Sequence, residues 1–455
     1  MVPGDGFLAL SLKGFPRMLK AFFISLLPTA IAALNLSTPR GEQVISIPSA
    51  YSSRPEICVI PKKYPNASYS PKDLQREQEL CSLQGVEPVA LCPKMVSTNP
   101  AIEFFSVPEG FTAAQVEARM CTQEDAKKLA KYKSSISCSY TPSLLAYYHI
   151  SRILGDIGQV PPVVLRTMNL KHHRALAEKA VAKVDPRNAL LKKIWRGYAK
   201  HLAAGPASPK RDDLLTSDFT QTYGALQFNP RDEEKYSEMF FSARGSETRA
   251  DAFRSRSPIY ALLKDSRPLR SLVGNQWSAG NVQRLVQMQN VADMIVLDHL
   301  LNQQDRFGNI HFTKAYYFVG ATEGVPQVLF TRTMEMEEVR SVGAVQVKQM
   351  MLKDNDCGVT KDNLAKKAGL LRGLSHLNPE TYARLLKLRS DLSQESTRRF
   401  FKTETLMTEA DYASLKANME EVVRTLQNSC RAGRLKLDLN LDAHFINKPL
   451  HQECG

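Results

Sequence analysis

Reactive side-chain types gather in two short runs of this 455-residue chain, residues 297–312 (LDHLLNQQDRFGNIHF) and residues 352–359 (LKDNDCGV). Asp305 brings a carboxylate able to orient or deprotonate a hydroxyl, Arg306 follows it, and Asn309 offers an amide oxygen four residues on. After the apolar Met350-Met351-Leu352, Asp354 enters a glycine-containing turn, with Asp356 in reserve, and hard divalent cations prefer such carboxylate oxygens. A carboxylate beside an acceptor hydroxyl and an oxygen donor for a metal ion are most of what phosphoryl transfer asks of a protein loop. Taken alone, D-R-x-x-N more often caps or ion-pairs a helix end, so its meaning depends on its surroundings.

The apolar positions Val291, Ile295, Val296, Leu300 and Leu301 predict a helix running into the first loop, with strands after it around 311–319 and 325–331. Farther upstream, KLAKYKSSI places Lys131 and Lys133 on one face of an extended strand. Residues 140–155 (YTPSLLAYYHISRILG) predict a helix with Thr141 and Pro142 at its start, and residues 160–168 a buried strand. Helices are expected at 71–83, 172–184, 188–202, in FTAAQVEARM and through much of 361–429, and strands at 102–107 and 222–228. Residues 203–213 are linker-like, and the Arg-rich stretch 244–258 reads as a surface loop.

N-x-x-D-R-x-x-N followed by an apolar strand and D-N resembles the catalytic loop and metal-binding aspartate of the phosphoinositide-kinase-like and secretory-pathway kinase superfamily, which includes the Golgi casein kinase and the xylosylkinase. LLAYYHISRILGDIGQVPPVV also resembles those secretory kinases, in which a helix ends in R-x-L-G before a V-P-P strand; together the matches span about 127–388. The resemblance implies an α+β, two-lobed protein-kinase-like fold with a mixed α/β N-lobe and a mainly helical C-lobe. It makes Asp305 the catalytic aspartate with Arg306 holding its loop, Asp354 the metal ligand, Asn309 an accessory ligand and Lys133, ahead of Lys131, the nucleotide lysine. ATP with Mg or Mn would be the cofactor, and a protein, sugar or lipid hydroxyl the acceptor, a protein being preferred. Two departures stand out. Asn309 sits one residue closer to the aspartate than in many relatives, and the helix glutamate that pairs with the lysine has no counterpart in TPSLLAYYH, leaving Glu124 or another acid to substitute.

Composition sets the frame. With 43% hydrophobic and 23% charged residues the chain should fold, and a formal charge of +14 is spread without a basic block, which argues against specific nucleic-acid binding. Lys13, Arg17 and Lys20 precede the apolar AFFISLLPTAIAAL, the pattern of a secretory leader too short for a span, and no other stretch looks membrane-spanning. The expected organisation is a signal peptide at 1–33, a Cys/Pro-rich loop-rich cap at 34–95, an N-lobe with insertions at 96–280 and a mainly helical C-lobe with the catalytic loop at 281–455. Eight cysteines suit an exported protein of a periplasm, an extracellular space or a secretory lumen, with bridges in the first third and one at the end; Cys357–Cys430 is the expected staple of the second loop. Asn35 and Asn66 begin glycosylation sequons, and His172-His173 and His149 read as packing or surface residues. The function expected is that of an exported atypical kinase. The alternatives are an inactive pseudokinase acting as scaffold or activator, suggested by the missing glutamate, and a basic protein that binds anionic surfaces.

Overall fold

Seven short strands come together in one antiparallel sheet: β1 (Gln43–Ile47), β2 (Glu56–Ile60), β3 (Val89–Pro93), β4 (Ile102–Ser106), β5 (Lys128–Lys133), β6 (Val163–Asn169) and β7 (Gln221–Phe228), in the order β1-β2-β6-β7-β5-β4-β3. The structure is a computed structural model that describes residues 33–84, 88–239, 245–450 and 453–454; the leader-like segment lies outside these residues except for Ala33. Strands from the stretch read as a loop-rich cap, β1, β2 and β3, belong to this sheet, so that stretch is structured rather than loop-rich. Each has only five residues and lies among prolines and serines, which hides the alternation of a strand in the sequence.

One core packs helices Leu170–Lys183 and Ala189–Ala204 against the sheet through Leu176, Ala177, Trp195 and Tyr198. A second, larger core joins helices Ala279–Leu300, Pro379–Asp391 and Glu409–Arg431 with helix Thr141–Ile153. All thirteen residues of helix Thr141–Ile153 are buried. Its buried polar members are paired, Ser143 donating to the Asn355 carbonyl and Arg152 bonding Asp73.

A smaller sheet carries the chemistry-bearing loops. β8 (Glu234–Lys235) pairs with β9 (His311–Thr322), which lies between β10 (Val325–Thr331) and β11 (Val345–Met351), all antiparallel. β12 (His376–Leu377) and β13 (Lys436–Leu437) form a short parallel pair. The chain is thus a mixed α+β structure, with sixteen α-helices among the described residues, which form one compact unit.

Two expectations are corrected. Residues 246–256 form a helix, Ser246–Arg256, rather than a loop, because Ala250 and Phe253 lie one turn apart and are both buried under its otherwise polar face. The cysteines pair as Cys58–Cys81, Cys92–Cys121, Cys138–Cys357 and Cys430–Cys454, so Cys357–Cys430 does not form. Cys357 faces the start of helix Thr141–Ile153, where Cys138 meets it with Cα atoms 5.0 Å apart. Four disulfides fit an oxidising compartment. Among the described residues no helix is long and apolar enough to cross a membrane.

Candidate active site

Helix Ala279–Leu300 ends where Asn302 takes a left-handed conformation (φ 48°) and the chain turns into the Asp305 loop. The loop is laid directly against the second motif: Gln304 N donates to Cys357 O at 2.9 Å and Val359 N to Leu301 O at 2.5 Å. Arg306 fastens the two together. Its buried guanidinium grips Asp298 on the helix at 2.8 Å and donates to Asn355 Oδ1 at 2.6 Å, while Tyr147 OH also donates to Asp298 at 2.8 Å. Asn355 is in turn saturated, its Nδ2 donating to Leu352 O at 2.6 Å and its carbonyl accepting from Ser143 Oγ at 2.5 Å. The N of the D-N pair therefore fixes the turn rather than facing solvent. Removing either member of a buried guanidinium–carboxylate pair leaves an uncompensated charge, typically at a cost of about 3–5 kcal/mol.

Both candidate lysines meet this turn. Lys131 Nζ lies 3.2 Å and Lys133 Nζ 3.6 Å from Asp354 Oδ1, and Lys133 also pairs with Asp356 at 2.6 Å. The strand face predicted for the two lysines thus reaches the second motif, with Lys131 the closer to Asp354. β7 admits this end of β5 because Gly224 has no Cβ, which would otherwise collide with the Lys133 carbonyl. Ser139 donates to Asp356, and Tyr140 N donates to the Asp356 carbonyl at 2.9 Å, so the turn also anchors the start of helix Thr141–Ile153.

Charge is concentrated here. Burial works against ionising Asp354, but Lys131, Lys133, Lys94 and Lys353 outweigh it and hold its carboxyl well below the ordinary 3.8. Asp356 is lowered too, burial being overcome chiefly by Lys133. Burial and the neighbouring cations push Lys94 and Lys353 down to about 7, although Lys353 pairs with Glu233. Asp305 moves the other way: burial raises it, Asp356 adds to the rise, and Arg249, Ser246 and Asn309 oppose it.

Asp305 accepts from Arg249 at 3.0 Å, Ser246 Oγ at 3.2 Å and Asn309 Nδ2 at 3.1 Å. Asn309 also donates to the Asp305 carbonyl at 2.8 Å, so its amide nitrogen is committed to Asp305. Arg249 and Ser246 escaped the sequence reading because their helix was taken for a loop, and Lys94 because it lies far away on its own. Lys353 stood beside Asp354 in the motif and was the one legible signal. Glu124 is exposed, and the carboxylates paired with the two lysines are those of Asp354 and Asp356.

A divalent cation would find two adjacent carboxylates held ionised, Asp354 and Asp356, and no cluster of three metal-ligating side chains among the described residues. That donor set fits magnesium, which commonly takes one or two carboxylates and completes its shell with water and substrate phosphates. No protein-family model matches the chain, and no curated protein matches it.

Proposed function

We propose that the protein is an exported atypical kinase of two-lobed, protein-kinase-like fold that transfers the terminal phosphoryl group of a nucleoside triphosphate to a hydroxyl of a protein, sugar or lipid. The observation that carries this reading is the junction of three chain segments: Lys131 within 3.2 Å of Asp354, on a turn hydrogen-bonded to the Asp305 loop by Gln304 and Arg306. A cationic strand, an ionised carboxylate and a second carboxylate of raised affinity for protons are the groups this reaction needs close together. The four disulfides and the leader-like N-terminal sequence support export.

In this reading Lys131 and Lys133 draw the nucleotide phosphates to β5. Asp354, with Asp356 beside it, would hold the Mg or Mn ion that accompanies ATP, which would supply positive charge against the phosphate oxygens. Asp305 orients the acceptor hydroxyl and takes its proton as the hydroxyl oxygen bonds to the γ-phosphorus. The bond from that phosphorus to the bridging oxygen breaks, and the nucleoside diphosphate leaves with the electron pair. Asn309 and Arg249 position the Asp305 carboxylate, and Arg306 holds its loop.

One observation favours the pseudokinase reading: the lysines are paired with the metal-site carboxylates instead of with an acid on the neighbouring helix. The two readings separate in a transfer assay with labelled ATP and Mg or Mn, offering a dephosphorylated protein, a xylose-bearing glycan and lipid vesicles. Label should enter one acceptor class and fall at least about 100-fold in Asp305→Ala and Asp354→Ala. Folded wild-type protein that transfers to none of them, yet shifts its melting temperature with ATP, would establish a pseudokinase.

A further inference from the structure

A cavity of about 780 Å³ has none of the residues assigned to phosphate transfer in its lining. It lies between the start of helix Pro71–Ser82, the Val160–Pro162 approach to β6, the end of β7 and one side of the β9–β10–β11 sheet. Its size is that of a site for a small organic ligand.

Its charge is unbalanced. Six of the lining side chains are basic and three acidic, and the acids are largely taken. Asp73 and Asp156 are both held by the buried Arg152, at 2.8 and 2.6 Å, which leaves exposed Asp232 at the rim. Arg332 is the cation without a match: its guanidinium forms no ion pair among the described residues and donates instead to two neutral oxygens, Thr313 Oγ1 and Gln159 Oε1, each at 3.0 Å. Those two bonds leave part of the five-donor guanidinium fork unused on a side chain that lines the cavity. Burial lowers its affinity for protons, Asp156 opposes that without forming an ion pair with it, and Arg152 and Arg76 add to the lowering. Arg76 lies over the Phe228 ring at 4.3 Å and pairs through one nitrogen with Glu79 at 2.6 Å, which fixes a second guanidinium at the wall with its other nitrogens still to be matched. Arg231 and Lys72 bring further exposed positive charge to the mouth.

Fixed arginine forks match phosphate and sulfate oxygens, whereas flexible surface lysines only attract them. Aromatic faces of Phe228, Tyr316 and Phe330 and the hydroxyl of Thr313 add what a sugar ring needs. We infer that this cavity binds a compact, sugar-sized polyanion carrying phosphate or sulfate groups, with Arg332 and Arg76 as the principal anion contacts. Because the walls come from both the seven-stranded sheet and the β9–β10–β11 sheet, the bound anion ties the two sheets together. The inference does not depend on the kinase reading.

Calorimetric titration of the full chain with inositol hexakisphosphate in one arm and a heparin-derived sulfated disaccharide in another tests it, with an uncharged disaccharide as reference. The expected result is saturable binding of at least one anion, raised melting temperature, and affinity at least tenfold weaker in both Arg332→Gln and Arg76→Gln but unchanged in Lys131→Gln. The arm that binds identifies whether phosphate or sulfate is preferred. Should Arg332→Gln not fold, the surface pair Arg76→Gln with Arg231→Gln decides in its place, with the same tenfold criterion. No saturable binding of either anion, loss of less than tenfold in the arginine variants, or loss in Lys131→Gln overturns the inference, the last by moving the anion to the β5 lysines.

Discussion

Asp293 is buried and Asp354 half-buried, and their surroundings drive the two acids in opposite directions. Asp354 is surrounded by lysines and stays ionised; Asp293, on helix Ala279–Leu300, has only the Thr381 hydroxyl, donating at 3.1 Å, and burial pushes it from 3.8 up to about 7. The stability consequences have opposite signs. Asp354, depressed on folding, contributes stability above the ordinary carboxylate range that is lost as the pH falls through its folded value. Between pH 3.8 and 7 the unfolded chain releases the Asp293 proton while the folded chain keeps it, so this residue costs about 1.4 kcal/mol more for each unit of rising pH and levels off above 7. Asp293→Asn retains a carbonyl oxygen for Thr381 and cannot ionise. Its stability gain over the wild type in urea denaturation should therefore be small at pH 4, climb to a few kcal/mol by pH 7 and then stay flat. A gain of constant size across that range would show that Asp293 is not held protonated.

The turn at 352–359 is where elements far apart in sequence are forced into register. Gly358 is packed so closely that an added Cβ would lie 2.5 Å from Ser143 Oγ, 2.8 Å from the Leu301 carbonyl and 3.2 Å from the Tyr147 ring. Ser143 can rotate, but the Leu301 carbonyl belongs to the backbone that accepts from Val359 N and cannot yield without moving the Asp305 loop. Gly358→Ala should cost roughly 1–3 kcal/mol in chemical denaturation, the usual range for overpacking, and, on the kinase proposal, should weaken the ATP binding it calls for, measured by calorimetry. A variant as stable as wild type would mean that the helix and the turn are less tightly opposed. Helix Ala279–Leu300, strands β9 and β10 and the lysine-bearing strand were legible in the sequence, because long apolar periodicity and alternation are local signals. The order of the seven strands was not, since β2 and β6 pair Cys58 with Arg166 across more than a hundred residues and nothing local encodes that. Helix Ser246–Arg256 was missed for a related reason: its three buried residues, two of them alanines, are a minority among polar and charged neighbours. The local part of the site, Asp305 through Asn309 and Lys353 through Asp356, was readable as a motif, whereas Arg249 and Lys94 join it only through tertiary packing.

Across the whole molecule, the four disulfides do unequal amounts of work. Cys58–Cys81, Cys92–Cys121 and Cys430–Cys454 each close 23 to 29 residues, but Cys138–Cys357 closes 219 and joins the β5 end of the large sheet to the turn after β11. It is the covalent link that holds the start of helix Thr141–Ile153 against the Asp354 turn, in parallel with the Ser139 and Tyr140 bonds to Asp356. A bridge restricts the unfolded chain more as its loop lengthens, with the entropy growing as the logarithm of loop length. For separations of 219 and 24 residues the difference is (3/2)RT ln(219/24), about 2 kcal/mol in favour of Cys138–Cys357. The double variant Cys138→Ser/Cys357→Ser should therefore lose about 2 kcal/mol more than Cys430→Ser/Cys454→Ser in urea denaturation under oxidising conditions. On the kinase proposal it should also weaken ATP binding, because the lysine strand and the Asp354 turn lose their covalent tie, while the tail variant should leave that binding unchanged. Peptide mapping of the non-reduced wild type belongs with the measurement: a Cys357–Cys430 peptide, or equal losses in the two double variants, would remove Cys138–Cys357 from its place as the bond between the sheet and the site.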